Sequence, residues 1–198
     1  SHYQNLLDKD WQGKICSRKG SHYYNRSMVA SFIYRYGQSW TESWVKGFTD
    51  NLAERPNGGD RDQLRKIAKG DCDIALANSY YYGILSSSAK QSDREVYRQV
   101  GVVFPDNGGI GVHTNISGAA VTGAAKNKTN AIRFIEFLAT DEAQRIYAES
   151  NYEYPINSRL SAGKLLDSWG KPVSDLDSIL NLTGHHKQAS EIIGQSNW

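Results

Sequence analysis

The sequence predicts an α/β fold with a mostly parallel sheet flanked by helices, and three observations lead there. Two short apolar runs, Lys14-Ile15-Cys16-Ser17-Arg18 and Ile74-Ala75-Leu76-Ala77, have the length and composition of buried strands, and each runs into a loop rich in tyrosine. The residues between them carry helical periodicity, which supplies the crossover that parallel neighbours require. The 198 residues, 39% of them hydrophobic, are enough to bury a core in one large domain or two small ones.

In chain order, residues 1–11 are polar with scattered Tyr3, Leu6, Leu7 and Trp11, a surface segment with a helical turn. The first strand follows Gly13 and gives way to the loop Lys19-Gly20-Ser21-His22-Tyr23-Tyr24. From Asn25 onward Met28, Val29, Phe32, Ile33 and Tyr36 recur at helical spacing, and Gly37 ends that helix. Ser39-x-x-Glu42 reads as a capping box opening a second helix with Trp44, Val45, Phe48 and Leu52 on its inner face. After the turn Arg55-Pro56-Asn57-Gly58-Gly59, Asp60 is placed to cap a third helix with Leu64, Ile67 and Ala68 inward and Gly70 as its stop. The second strand opens at Asp73 and ends at Asn78, so Tyr80-Tyr81-Tyr82 reads as a loop at its carboxyl end, shut off by Gly83.

Beyond lies a third apolar run, 100–104, stopped by Pro105-Asp106-Asn107-Gly108-Gly109, then small, glycine-rich extended chain over 110–121. A helix is expected over 130–139 with Ile132, Ile135 and Leu138 inward, and another capped by Thr140 with Asp141 and Glu142 in its first turn. Residues 153–157 break the pattern. The tail is mixed, with Leu165, Leu166 and Trp169, and ends in a helix carrying Ala189, Ile192 and Ile193.

Parallel strands send their carboxyl ends the same way. The loop with Tyr23 and Tyr24 and the loop with Tyr80 to Tyr82 should therefore face one crevice, the usual ligand position in open α/β sheets.

Composition narrows the function. Net charge is +2 with the basic residues dispersed, so the electrostatic footprint of a nucleic-acid binder is missing. No run reaches the roughly 18 apolar residues of a membrane span, and no membrane insertion is expected. The chain opens at Ser1-His2-Tyr3 without Met, as a mature, processed or expressed chain would, which leaves export open. No nucleophile elbow or His-x-x-x-His is present, and Gly108-Gly109-x-Gly111 lacks the strand-to-helix setting of a phosphate loop, so no enzyme is expected. Asn25, Asn115, Asn127 and Asn181 begin Asn-x-Ser/Thr triplets that are short enough to arise by chance.

Twelve tyrosines against one methionine raise the question of what the phenols do. A phenol with a pKa of about 10 is a poor base at neutral pH, but a hard trivalent cation displaces its proton and holds the phenolate, and Fe(III) is the obvious such ion. Adjacent tyrosines on a loop can address one ion together, which strand alternation forbids. The competing reading of Tyr80-Tyr81-Tyr82 is a packing cluster, the ordinary fate of phenols. His22 reads as a surface histidine and His185-His186 as a solvated helix face. Cys16 and Cys72 lie in or beside the two strands, and the residues alone leave a disulfide and two buried thiols equally open.

Gly70-Asp71-Cys72-Asp73-Ile74-Ala75-Leu76-Ala77-Asn78-Ser79-Tyr80-Tyr81 resembles the signature of bacterial ferric-iron-binding receptors of ABC importers, the cyanobacterial iron-uptake proteins among them. Asn107-Gly108-Gly109-Ile110-Gly111-Val112-His113-Thr114-Asn115-Ile116-Ser117-Gly118-Ala119, Asp60-Arg61-Asp62-Gln63 and Tyr152-Glu153-Tyr154-Pro155-Ile156-Asn157 are similar to the same family, in order along the chain. The resemblance implies a periplasmic-binding-protein-like (class II) fold, a periplasmic or otherwise extracytoplasmic location and Fe(III) as the ion bound. It implies Tyr80 and Tyr81 as adjacent ligands and Tyr24 as a third, with Asn78 supporting them by hydrogen bonding. It also favours a Cys16–Cys72 disulfide and an ABC permease as partner.

The chain departs from the family pattern in two ways. The N-terminal part that builds most of the first lobe, and supplies further ligands, is not in this sequence. The resemblance then implies that 1–110 form the second lobe, 111–160 a helical segment of the first, and 161–198 helices returning to the second, with apolar surface uncovered on 132–138. Ile84 stands where some relatives carry arginine, so another cation such as Arg18 or Arg61 is needed to favour phenolate. Two alternatives stand beside iron capture: the same fold binding a small organic ligand by stacking, and an interaction fragment without a ligand.

Overall fold

A computed structural model describes residues 2–198. Its frame is a parallel pair, β1 (Ile15–Cys16) beside β2 (Ile74–Ala75), in the register Ile15 with Ile74 and Cys16 with Ala75. Leu52 adds a parallel bridge on the other side of Ile15. Two-residue strands contribute few ladder bonds, so the pair depends on what surrounds it. The Cys16–Cys72 disulfide is formed across a Cα–Cα distance of 5.9 Å, with both cysteines buried.

The helix α1 (Tyr23–Tyr36) follows β1, then α2 (Gln38–Asp50) and α3 (Asp60–Lys69) complete the crossover to β2. The same arrangement repeats with α4 (Ser79–Ser86) directly after β2, and α5 (Gln91–Gln99) folds back on it. The main core is aromatic. Trp44 stacks on Phe48 with centroids 5.0 Å apart, Phe32 meets Trp44 edge-on at 4.9 Å, and Trp198 closes over Phe48 at 4.7 Å. Both buried indoles keep their N–H groups satisfied: Trp44 donates to the Tyr3 carbonyl at 3.0 Å and Trp198 to Ser17 Oγ at 2.8 Å. The final helix α10 (His186–Gly194) packs on α1, burying Ala189, Ile192 and Ile193 as the spacing predicts.

A second core of Leu64, Leu85 and Val100 lies beneath α3, α4 and α5, with Tyr81 and Tyr82 packed against it. Residues 100–104 are not a strand, and the glycine-rich stretch after them is largely irregular. Gly111 has φ +100°, and a Cβ there would lie 2.6 Å from the Val173 carbonyl oxygen, which lets Val112 pair with the tail at 2.7 Å. The tail is anchored again where Arg35 Nε donates to buried Asp175, whose side chain also caps α9 (Leu176–Asn181).

Several expectations are corrected. Tyr80 to Tyr82 lie in the first turn of α4, and Tyr23 and Tyr24 in the first turn of α1, not in loops. Gly83, read as a stop, sits inside α4, where Tyr152 fills the space its side chain would take: a Cβ would be 2.4 Å from Tyr152 Cγ. Gly37 precedes α2, so Ser39 is inside that helix and Glu42 accepts from Gln38 at 2.7 Å. Gly59, not Asp60, is the cap of α3, its N–H held by Asp62 at 2.9 Å. The helix expected over 130–139 is α6 (Lys128–Leu138), and it buries none of its residues, its main neighbour being the short α7 (Asp141–Ile146). Ile132 and Phe134 stay 49% and 59% exposed.

Closing a loop of 56 residues, the disulfide should stabilise by about 4 kcal/mol through lost unfolded-state entropy. The Cys16→Ser/Cys72→Ser double variant is therefore expected to lose about that much in urea unfolding. A loss below about 1 kcal/mol would mean that the cores alone hold the strand pair.

Candidate metal centre

Both tyrosine pairs stand on helix N-termini that follow paired parallel strands, so the two turns open onto the same edge of the sheet. His22 precedes α1 in extended conformation, and its Nδ1 accepts from the Tyr24 N–H at 3.3 Å. Asn78 does the same for α4 by its backbone shape, φ −70° and ψ 135°. The result brings residues 24 and 80 together: their phenol oxygens are 2.7 Å apart. Tyr81 lies beside Tyr80 with ring centroids 4.1 Å apart, half-buried against the second core.

The electrostatics favour neutral phenols while the site is empty. Loss of solvation pushes the Tyr24 phenol well above its ordinary range, and the hydroxyls of Tyr23, Tyr80 and Tyr81 add to this. Tyr80 is also raised, again by burial first, while its contact with Tyr24 acts the other way. Either hydroxyl can donate in that contact. The two helix N-termini supply partial positive charge toward any phenolate formed there.

Buried Asp60 ties the surroundings together. One carboxylate oxygen accepts the Asn78 N–H at 2.9 Å and the other pairs with the Arg18 guanidinium. Arg18 in turn lies over the Tyr24 ring, 5.3 Å from its centroid. Asn78 accepts from the Asn115 side chain at 3.1 Å, which connects α4 to the irregular stretch after Val112. Of the residues named from sequence as supports, Arg18 and Asn78 are thus beside the phenols, whereas exposed Arg61 makes no hydrogen bond or ion pair among the described residues. Asp60 and Asn115 were missed as site residues, one taken for a helix cap and the other for a chance triplet. Their one visible signal was membership in the motifs at 60–63 and 107–119.

Tyr82 points away. Its hydroxyl donates to the carbonyls of Tyr97 and Val100, at 3.1 and 2.7 Å, its ring packs on Tyr97 and Trp169, and burial pushes its pKa to about 12. His22 packs on the rings of Tyr23 and Tyr24, and burial followed by the nearby Arg18 charge lowers its pKa. Among the described residues no three His, Cys, Asp or Glu side chains gather as a metal cluster, so the convergent hard donors are phenols. Likewise no helix among them is long and apolar enough to cross a membrane.

Comparison with known proteins identifies the family and the fold. Residues 1–178 match the family described as bacterial extracellular solute-binding protein. Iron uptake protein A1 of Synechocystis is 37% identical over 198 residues, covering 100% of this chain and 55% of that protein. A Trichodesmium protein, IdiA or FutA, solved with iron and citrate ligands, superposes with a TM-score of 0.94 at 39% identity over 98% of this chain and 62% of its own. A Bordetella ferric binding protein superposes at 0.90 with 40% identity over 98% of this chain and 62% of its own. The chain thus spans little more than half the length of the curated relatives it matches, and its fold is periplasmic-binding-protein-like, class II. Matched over most of its length, the chain belongs to the bacterial extracellular solute-binding protein family, whose members bind solutes for transport and are not enzymes.

Proposed function

We propose that this chain is the phenol-bearing portion of an extracytoplasmic receptor that captures Fe(III) and delivers it to an ABC permease. The observation that carries this reading is the 2.7 Å approach of Tyr24 to Tyr80, with Tyr81 stacked beside them, at two helix N-termini. In this role Tyr24, Tyr80 and Tyr81 hold the ion as phenolates, and Arg18 and Asn78, both fastened to Asp60, fix the geometry around them. The relatives named for iron uptake and ferric binding support the choice of ion. In the same proposal residues 1–110 and 161–198 form one lobe, 111–160 belong to the other, and the exposed apolar face of α6 packs on the part of that lobe outside this sequence. Closure of the lobes around the ion then presents it to the permease.

Half-buried neutral phenols set the direction of the pH response. An ion bound as phenolate must displace protons, so acid favours release and iron retention should weaken steadily as pH falls. Retention that did not weaken on acidification would argue against a tyrosinate site. In the metal-free protein the sign is opposite at high pH. Tyr24 and Tyr80 ionise less readily folded than at their ordinary value of 10.0, so the unfolded chain loses protons first and stability falls above about pH 10. Thermal unfolding from pH 8 to 11 should show that fall, and Tyr24→Phe should flatten it.

Adding ferric citrate to the complete protein should give a visible phenolate-to-iron charge-transfer band. Tyr81→Phe should shift or weaken the band, and an unchanged spectrum would remove Tyr81 from the ligand set. Asp60→Asn touches no metal in this scheme, yet it should cost about 10- to 100-fold in iron affinity by loosening Arg18 and Asn78. Elemental analysis of the purified protein separates this reading from an organic ligand stacked on the same rings.

A further inference from the structure

Where the start of α1 approaches the end of α10, an open cleft of about 320 Å³ is lined by Ser21, Arg26, Ser190, Ser196 and Trp198. Arg26 is the unusual member. Its Nε is buried without a hydrogen-bond partner, and among the described residues the guanidinium has no carboxylate within 4.0 Å. A buried donor left unpaired is unfavourable, more so on a charged group, so such a group needs a reason to be there. Ser190 and Ser196 already donate to the carbonyls of His186 and Ile193, at 2.9 and 2.7 Å. The donors left for a guest are therefore the Arg26 fork and the Ser21 hydroxyl.

Ser21 also lines a second cavity of about 300 Å³, whose other walls include Arg18, Lys19 and His22. Neither cavity has an Asp or Glu in its lining. Arg18 is already paired with Asp60, so among the described residues the cations without a carboxylate partner beside the shared serine are Arg26 and Lys19.

The geometry points to an anion site: Arg26 and Ser21 hold one carboxylate or phosphate group of a small polyanion, which extends past Ser21 so that a second anionic group meets Lys19. The planar guanidinium suits such oxyanions because it offers parallel donors at their oxygen spacing. The site shares no ligand with the proposed iron centre and does not depend on it.

The test uses metal-free protein at constant ionic strength, titrated calorimetrically with inorganic phosphate, pyrophosphate and succinate. Saturable binding is expected, tighter for the two-headed probes, and whether pyrophosphate or succinate binds better tells phosphate from carboxylate recognition. Arg26→Gln should weaken all three at least tenfold, and Lys19→Gln should weaken pyrophosphate and succinate while sparing phosphate. Among the described residues Arg26 makes no ion pair that its loss would break, so Arg26→Gln should match the unliganded protein's melting temperature and lose the rise that pyrophosphate gives. No saturable binding of any probe, or equal binding by Arg26→Gln, overturns the proposal. The ferric charge-transfer band should survive in Arg26→Gln, which keeps this result separate from the iron assignment.

Discussion

The structure depends on one short parallel pairing. Ile15 and Cys16 beside Ile74 and Ala75 decide that α1 and α4 start on the same edge, and every contact at the phenols follows from that. Four residues of strand cannot resist slipping by themselves, and a one-residue slip would turn Tyr80 away from Tyr24. The disulfide prevents it by joining the end of β1 to the approach to β2, and the buried Ile15 side chain fixes the same register from the core side. Asp60 adds a third tie, since it reaches Arg18 after β1 and the Asn78 N–H after β2 at once.

Burial at this edge has two consequences that oppose each other. It keeps Tyr24 and Tyr80 protonated in the empty site, which would discourage weakly charged ions from displacing the hydrogen. It also strengthens the attraction between a phenolate and a cation once the exchange has occurred, because the surrounding dielectric is low. A site of this kind discriminates by charge: an ion of high charge density gains enough to expel the protons and an ion of low charge does not. The helix N-termini and the Arg18 guanidinium lower the barrier further by favouring the negative oxygen. In the proposed iron centre Arg18, two residues beyond β1, would stand in for the cation that the family resemblance places at position 84.

Much of this was legible in the sequence because it was local. The apolar run before Asn78, the helical spacing from Met28 to Tyr36 and the inward faces of α2 and α10 are all written in neighbouring residues. The parallel crossover argument then placed Tyr24 and Tyr80 together without any contact being visible. What escaped was non-local. Nothing in Asp60-Arg61-Asp62 says that the first side chain leaves its own helix to join residues 18 and 78, because a residue at a helix start ordinarily serves that helix. Gly83 is non-local in the same way: after three tyrosines it reads as the close of a loop, and only the position of Tyr152, far along the chain, shows why it is interior to a helix.

Tyr152 also explains how the phenol-bearing helix is held from its far side. It adopts a left-handed conformation, φ 60° and ψ 35°, at the end of the wide turn Tyr147–Asn151, and its ring fills the notch that Gly83 leaves. The strand, Asp60 and the second core fix α4 from one direction, and this contact fixes it from the other. A helix of eight residues would be marginal alone. Here its first turn is determined by the sheet and its middle by residues 147–152, a segment that packs against Ala162 and Leu166 and not against the main aromatic core. Movement of that segment relative to the sheet therefore bears on Gly83, two residues from Tyr81, and on the packing of Tyr82 against Trp169, so the helix that presents the phenols is also where these two parts of the chain meet.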